Sequence, residues 1–126
     1  MAIEIPSIVR RYLDAYNAMD VSAMLETMTD DVRFENVTNP GGSMVIEGKA
    51  ALAELAEQSA AAFSQRRQTV RDAVVTLERA VLDLDFEATC AIDLPNGWQA
   101  GQVVNLRGVS FFELRGNLIA SIVDFS

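Results

Sequence analysis

Hydrophobic positions in the first half of the chain recur three or four residues apart, the spacing of a helix. The first such run predicts a helix over residues 6–18, with Pro6 suited to its start. Asp20 can cap a short second helix that ends near Thr29. After a Gly-Gly turn, an alanine-rich run predicts a third helix over residues 49–63. The apolar face of this third helix is formed by Leu52, Leu55, Ala56, Ser59 and Phe63.

The second half of the chain alternates between apolar and polar residues, the pattern of half-buried strands. The clearest strand covers residues 82–93, and two more follow at 102–114 and 118–125, separated by Pro-Asn-Gly and Gly-Asn turns. Shorter segments at 32–37 and 69–77 raise the number of predicted strands to about five. Helices segregated against an antiparallel sheet predict a single α+β domain over residues 1–126.

Charge and composition narrow the classes of partner. The 126 residues carry 18 acidic and 10 basic side chains, a net charge of −8, and half of them are apolar. Nucleic acids and anionic membranes require a basic face, and the longest basic runs here are two residues long, so neither is expected as a partner. Because the sequence shows neither a secretory signal nor a long apolar stretch, a cytoplasmic location is expected.

The chain contains no histidine and one cysteine, Cys90. This excludes Ser-His-Asp and Cys-His catalysis and imidazole-based metal sites. Cys90 is expected to be buried and inert, and neither a metal nor an organic cofactor is predicted. Acid–base chemistry would therefore depend on carboxylates, tyrosines, amides or bound water.

Three polar residues alternate with apolar neighbours on predicted strands: Asn36, Ser110 and Asp124. A carboxylate facing a dry cavity has a raised pKa and is a better general base than a solvated one. Asp124 is therefore a candidate base, although an exposed strand end would explain it equally well. Asn36 could instead form hydrogen bonds with backbone groups at a strand end. Ser110 could simply be a small residue beside Gly108 that leaves space for a neighbouring side chain.

Two further features of the pattern are aromatic. Tyr12 and Tyr16 lie one helical turn apart, so that both hydroxyls can reach one region, although both could also be ordinary core residues. Trp98, beside the Pro-Asn-Gly turn, could cover a pocket, cover the sheet or contact another subunit.

Four segments resemble the nuclear transport factor 2-like superfamily, and in particular its branch of SnoaL-like polyketide cyclases, ketosteroid isomerases and limonene epoxide hydrolases. They are VRRYLDAYNAMD at residues 9–20, DDVRFEN at 30–36, IEGKAAL at 46–52 and the stretch from FFEL at 111–114 to Asp124. The resemblance implies a cone-shaped, cystatin-like α+β fold, in which three helices cover the concave face of a strongly curved antiparallel sheet of five to six strands. It also implies a homodimer that forms through the sheet.

The same resemblance suggests roles for individual residues. Tyr12 stands where the isomerases have an oxyanion donor, whereas their base and acid positions hold Asn36 and Ser110. Asn36 and Asp124 match the pair that holds a water in the epoxide hydrolases, and the tyrosine partner of that pair is replaced by Phe34. Either Glu87 or Thr89 corresponds to the second acid of those enzymes.

These observations predict a small enzyme whose base Asp124, assisted by Asn36 and Tyr12, acts on a hydrophobic cyclic or carbonyl-bearing substrate by isomerisation, cyclisation or water addition. Two alternatives are a non-catalytic binding module for an apolar ligand and a dimerising association domain. The predicted substrate-binding residues are Tyr16, Phe34, Phe63, Glu87, Ser110, Phe112 and Ile122.

Overall fold

Three helices and six strands form within residues 3–38 and 42–125, the part of the chain that the computed structural model describes. The helices are α1 (Ser7–Asn17), α2 (Val21–Glu26) and α3 (Lys49–Ala62). The strands are β1 (Met28–Thr38), β2 (Gly42–Glu47), β3 (Phe63–Val75), β4 (Arg79–Cys90), β5 (Val103–Arg115) and β6 (Leu118–Phe125). The predicted α+β class is confirmed, with helices packed on one face of an open sheet.

Short polar contacts determine where α1 ends and where α2 begins. After α1 the chain reverses through Met19, whose φ of 58° lies in the left-handed region. The Met19 amide donates to the Tyr16 carbonyl and the Asp20 amide to the Ala15 carbonyl, which together form a Schellman motif. Asp20 then caps α2 by accepting a hydrogen bond from the Ala23 amide, as predicted. The helix ends earlier than predicted, and Met28 begins β1.

The sheet has the strand order β2-β1-β6-β5-β4-β3. All neighbours are antiparallel except β1 and β6, which run parallel. The prediction of a wholly antiparallel sheet is therefore wrong at this pairing, because strands so distant in sequence are not constrained by a hairpin turn. Strand β2 was not predicted at all, since its mostly exposed residues lack alternation. The predicted turn before it falls largely on residues 39–41, outside the described residues.

Strand β3 begins at Phe63, directly after α3 and six residues before its predicted start. Its first half is tied to the end of α1, because the side chain of Asn17 accepts from the Gln68 amide at 2.7 Å and donates to the Gln68 carbonyl at 3.2 Å. This clamp fixes the last turn of α1 over the sheet.

A β-bulge changes the phase of β6. Leu114 pairs with Ile119 and Glu113 with Ser121, so Ala120 is an extra residue in the strand. Ile119 and Ile122 are consequently both fully buried, whereas strict alternation back from Asp124 would turn Leu118 and Ala120 towards the core. Beyond the bulge the predicted phase holds, and Asp124 lies on the same face as Ile122.

The main core lies between the helices and the sheet and includes Val9, Leu13, Val32, Phe112 and Ile119. Ala88, Cys90 and Val104 form a smaller cluster near the β4–β5 loop. Trp98 packs against this cluster. Cys90 is buried, as predicted. Within the described residues, no helix is both long and apolar enough to cross a membrane.

Candidate active site

A cavity of about 180 Å³ lies between the helices and the inner face of the sheet. Its size is close to that of the engineered apolar cavities of about 150 Å³ that hold benzene, so it fits a ligand with one ring. The lining is mainly apolar and includes Met24, Leu25, Met28, Phe34, Leu52, Leu55, Ala56 and Ile122. The polar residues of the lining are Tyr12, Tyr16, Asn36, Ser59, Arg66 and Asp124.

Asp124 lies at the centre of a polar row that crosses three neighbouring strands. It pairs with Asn36 on β1 and with Ser110 on β5. The buried Ser110 hydroxyl donates to Asp124 Oδ1 over 2.6 Å. The Asn36 amide oxygen accepts from the Thr38 hydroxyl at 3.3 Å. Asn36 lies far in sequence from the other two residues, and it reaches them because the sheet places β1 beside β6.

The apolar surroundings of Asp124 change its acidity. Burial raises the pKa of the Asp124 carboxyl from 3.8 to about 6, and the hydrogen bond from Ser110 opposes this shift. The Asp124 side chain is nevertheless only half-buried, and it lines the cavity. Such a group is charged at neutral pH and accepts a proton far more readily than a solvated aspartate.

Tyr12 and Tyr16 both line the cavity from α1, with ring centroids 6.3 Å apart. Tyr12 also packs edge-on against Phe112 at 5.7 Å. Burial raises the pKa of the Tyr12 hydroxyl well above 10 and that of Tyr16 to about 12, and the negative charge of Asp124 adds to both shifts. Both hydroxyls therefore keep their protons and can donate hydrogen bonds.

Arg66 is a component of the cavity that the sequence analysis missed. It is only 5% exposed and lies on β3 opposite Ala88, on the inner face of the sheet. Its Nε donates to the Tyr16 carbonyl at 3.1 Å, and Nη1 donates to the Ser59 hydroxyl at 3.2 Å. The polar residues 64–68 fell between a predicted helix and a predicted strand, so nothing in the pattern separated Arg66 from its exposed neighbour Arg67.

A second space of about 240 Å³ borders the first and shares Asn36 and Asp124 with it. Ser110, Gln68, Phe86 and Trp98 also line this space. Trp98 is half-buried and packs on the smaller cluster, so it covers the sheet and borders the space at once. Asp124 can therefore be approached from two sides.

The structure brings most of the predicted site residues to these two spaces. Tyr12, Tyr16, Phe34, Asn36, Ile122 and Asp124 line the first, Ser110 lines the second, and Phe112 lies behind the Tyr12 ring.

Two predicted substrate-binding residues, Phe63 and Glu87, lie outside the cavity. Phe63 is the first residue of β3 and packs in the smaller cluster, where its ring centroid lies 5.8 Å from that of Phe86. Glu87 is exposed, because it alternates with the inward-facing residue Ala88 and so points to the outer face. Within the described residues, no group of three His, Cys, Asp or Glu side chains is arranged to hold a metal ion.

Comparisons with solved structures support the fold over nearly the whole chain. The epoxide hydrolase/cyclase-like enzyme SalBIII, described with a role in pyran ring formation in the polyether salinomycin, is 25% identical, with a TM-score of 0.76 over 94% of this chain and 87% of its own. A protein of Silicibacter sp. TM1040 provisionally described as a polyketide cyclase is 26% identical, with a TM-score of 0.75 over 94% of this chain and 85% of its own.

A third structure shows the same fold at lower identity. It is a hypothetical protein of Catenulispora acidiphila with a ketosteroid isomerase-like fold, 15% identical, with a TM-score of 0.79 over 98% of this chain and 87% of its own. No curated protein matches the sequence. The family model of the SnoaL-like domain matches residues 9–122, and the chain therefore belongs to the SnoaL-like family, within the nuclear transport factor 2-like superfamily that its sequence resembles.

Proposed function

We propose that the protein is an enzyme in which Asp124 acts as a general base on a small hydrophobic, cyclic or carbonyl-bearing substrate. The observation that carries this proposal is a carboxylate set in an apolar cavity, with the Ser110 hydroxyl as its hydrogen-bond donor. A dry environment of this kind gives a base with a pKa close to neutral, which is where general-base catalysis is most efficient.

In the first reaction we consider, Asp124 removes a proton from the carbon next to a carbonyl group. The electrons of the C–H bond move into the carbonyl, giving an enolate whose oxygen accepts a hydrogen bond from the Tyr12 hydroxyl. Where a C=C bond adjoins that carbon, the anion is a dienolate, and return of the proton from Asp124 to its far end gives isomerisation. Alternatively, the enolate carbon attacks a second carbonyl and closes a ring, and the alkoxide formed takes up the proton held by Asp124. Tyr12 suits the role of donor because its raised pKa keeps the hydroxyl protonated.

In the second reaction, Asp124 and Asn36 hold a water molecule between them. As the water oxygen bonds to an epoxide carbon, one C–O bond of the epoxide breaks and Asp124 accepts a proton from the water. The alkoxide then takes a proton from solvent to give the diol, and Asp124 releases its own proton to solvent. The pairing of these residues on adjacent strands supports this arrangement. The descriptions of two structural neighbours, one provisionally a polyketide cyclase and the other an epoxide hydrolase/cyclase-like enzyme, support both classes of reaction.

Two probes of a size that fits the cavity separate these reactions. Cyclohexanone in D₂O reports proton abstraction through deuterium exchange, and cyclohexene oxide reports hydration through formation of the diol. We expect the protein to accelerate one of the two reactions, and Asp124→Asn to reduce that rate by about 10²- to 10⁴-fold.

Glu57→Gln is the matched control, because it removes an exposed carboxylate from α3, and it should keep the wild-type rate. Equal rates for wild type and Asp124→Asn with both probes would contradict the role of Asp124 as base.

A non-catalytic binding module is the second candidate, favoured by the presence of Ser110 where related enzymes carry an acid. In that case an apolar ligand raises the melting temperature, and Asp124→Asn leaves its affinity unchanged.

We also propose a homodimer that forms through the outer face of the sheet, where Val103, Val109 and Phe125 are between 39% and 58% exposed. A monomeric mass in solution at micromolar concentration would contradict it. The cytoplasmic location stays a prediction.

A further inference from the structure

We propose that the ligand of the cavity is a small hydrophobic carboxylate, whose carboxylate group binds the Arg66 guanidinium while the rest of the molecule faces Asp124. This inference names the substrate class of the site described above, and it rests on the proposed function in taking that cavity as the substrate site. The argument depends on how Arg66 is held, on its charge and on the size of the cavity.

The guanidinium of Arg66 is fixed by contacts from three elements. Besides the bonds from Nε to the Tyr16 carbonyl and from Nη1 to the Ser59 hydroxyl, Nη2 lies 3.8 Å from the sulfur of Met24. The guanidinium carbon also lies 3.7 Å from the centre of the Tyr16 ring, a cation–π contact. A group held in this way loses little further conformational entropy when it binds a ligand.

The positive charge of Arg66 has no anionic partner within the described residues. No carboxylate there lies within 4.0 Å of the guanidinium, whereas Arg33, Arg71, Arg79, Arg107 and Arg115 each form an ion pair. The five paired arginines are all more exposed than Arg66. Burying a cation is costly unless an anion compensates it, and the oxygen acceptors of Arg66 are only a carbonyl and a hydroxyl. Its five N–H groups exceed these acceptors, which leaves donors for an anionic ligand.

The other charged group of the cavity determines how such a ligand would be oriented. Asp124 repels a second carboxylate, so the carboxylate of the ligand is directed to Arg66 and its apolar part to the carboxyl of Asp124. A carbon atom on the side away from Arg66 is then the one placed near the base. Arg66 and Asp124 both line the cavity, whose volume of about 180 Å³ and apolar residues Leu52, Leu55 and Ile122 suit a ligand with a single ring.

Benzoate and benzamide test this proposal, because they have the same shape and differ in charge. Their affinities are measured from amide chemical shifts at a pH above the pKa of Asp124. We expect wild type to prefer benzoate by about tenfold or more, the range for a hydrogen bond to a charged group. We expect Arg66→Gln to lose this preference, and Arg67→Gln, which removes an exposed charge at the adjacent position, to keep it.

Arg66 also donates a hydrogen bond to the last turn of α1, so Arg66→Gln can disturb the fold. The affinities of wild type for benzoate and benzamide therefore test the proposal without this variant. Equal affinities of wild type for the two probes overturn the proposal, as does an equal loss of preference in Arg66→Gln and Arg67→Gln. A shift of the Arg66 Nε–Hε signal on addition of benzoate, absent with benzamide, supports it.

Asp124→Asn separates this inference from the proposed function. It should bind benzoate more tightly than wild type, because the repulsion is gone, and it should retain the preference over benzamide. A benzoate preference without any Asp124-dependent reaction would refute the proposed catalysis and leave the carboxylate site standing.

Discussion

Ser110 on β5 donates a 2.6 Å hydrogen bond to the carboxylate of Asp124 on β6. The two residues are direct partners in the antiparallel pairing of these strands. Among the residues that the structure describes, this bond is the one interaction that lowers the pKa of Asp124, and burial raises it. Ser110 thereby adjusts the strength of the candidate base without itself lining the first cavity.

Ser110→Ala should raise the pKa of Asp124 further above about 6, because the hydrogen bond that stabilises the carboxylate is removed. The measurement is a carboxyl-carbon NMR titration, with Asp124→Asn to assign the signal. Ser121 lies on β6, the strand of Asp124, and forms no hydrogen bond with it, so Ser121→Ala should leave the pKa of Asp124 unchanged. An unchanged or lower pKa in Ser110→Ala would show that the bond does not act on the carboxylate.

The raised pKa of Asp124 makes a specific contribution to the pH dependence of stability. In the window between about pH 4 and pH 6 the folded state binds more protons than the unfolded state, so this group lowers the free energy of unfolding as the pH rises. Asp124→Asn should therefore be more stable than wild type above that window, by on the order of 2 kcal/mol, and the difference should vanish near pH 4.

Urea denaturation of wild type and Asp124→Asn between about pH 4 and pH 8 measures the difference in their free energies of unfolding. The titration of the other carboxylates is common to both proteins and cancels in this difference. Glu57→Gln serves as the reference for removal of an exposed charge. A difference between Asp124→Asn and wild type that is constant with pH would show that Asp124 has an ordinary pKa.

Tyr12→Phe should separate stability from activity. Tyr12 lines the cavity, so removal of its hydroxyl should change the free energy of unfolding by less than about 1 kcal/mol. If it donates to an oxyanion, the rate of cyclohexanone exchange should fall by about 10²- to 10³-fold. Tyr16→Phe, one turn further along α1, is the comparison and should lose less than tenfold. Equal rates in wild type and Tyr12→Phe would remove Tyr12 from the mechanism.

Met19→Gly should stabilise the protein by about 1 kcal/mol, because Met19 adopts a left-handed conformation that costs about that much for a residue with a Cβ atom. Met19→Ala keeps the Cβ atom and should bring no such gain. Urea denaturation measures both variants. A gain that is equal in the two would trace the effect to the side chain of Met19 and not to its backbone.

The sequence was informative where a local pattern determines the structure. Alternation placed Asn36, Ser110 and Asp124 on inner faces correctly, because the period of two holds within each strand at these positions. It was uninformative where the determining contact is distant. The parallel pairing of β1 with β6 could not be derived from alternation, and Arg66 is buried only because β3 is placed beneath the end of α1. Glu87 was assigned to the site wrongly, because the sequence alone did not reveal which residues of β4 face the cavity.

The parallel pairing of β1 with β6 has a consequence for folding. The contact between Asn36 and Asp124 joins segments far apart in sequence, whereas β3, β4 and β5 pair with near neighbours. Distant pairings of this kind bear a large loop-closure entropy and slow folding. A chain that has formed only the β3–β5 meander therefore holds Asp124 in water as an ordinary acid. The acidity of this one carboxyl thus reports whether β6 has joined β1.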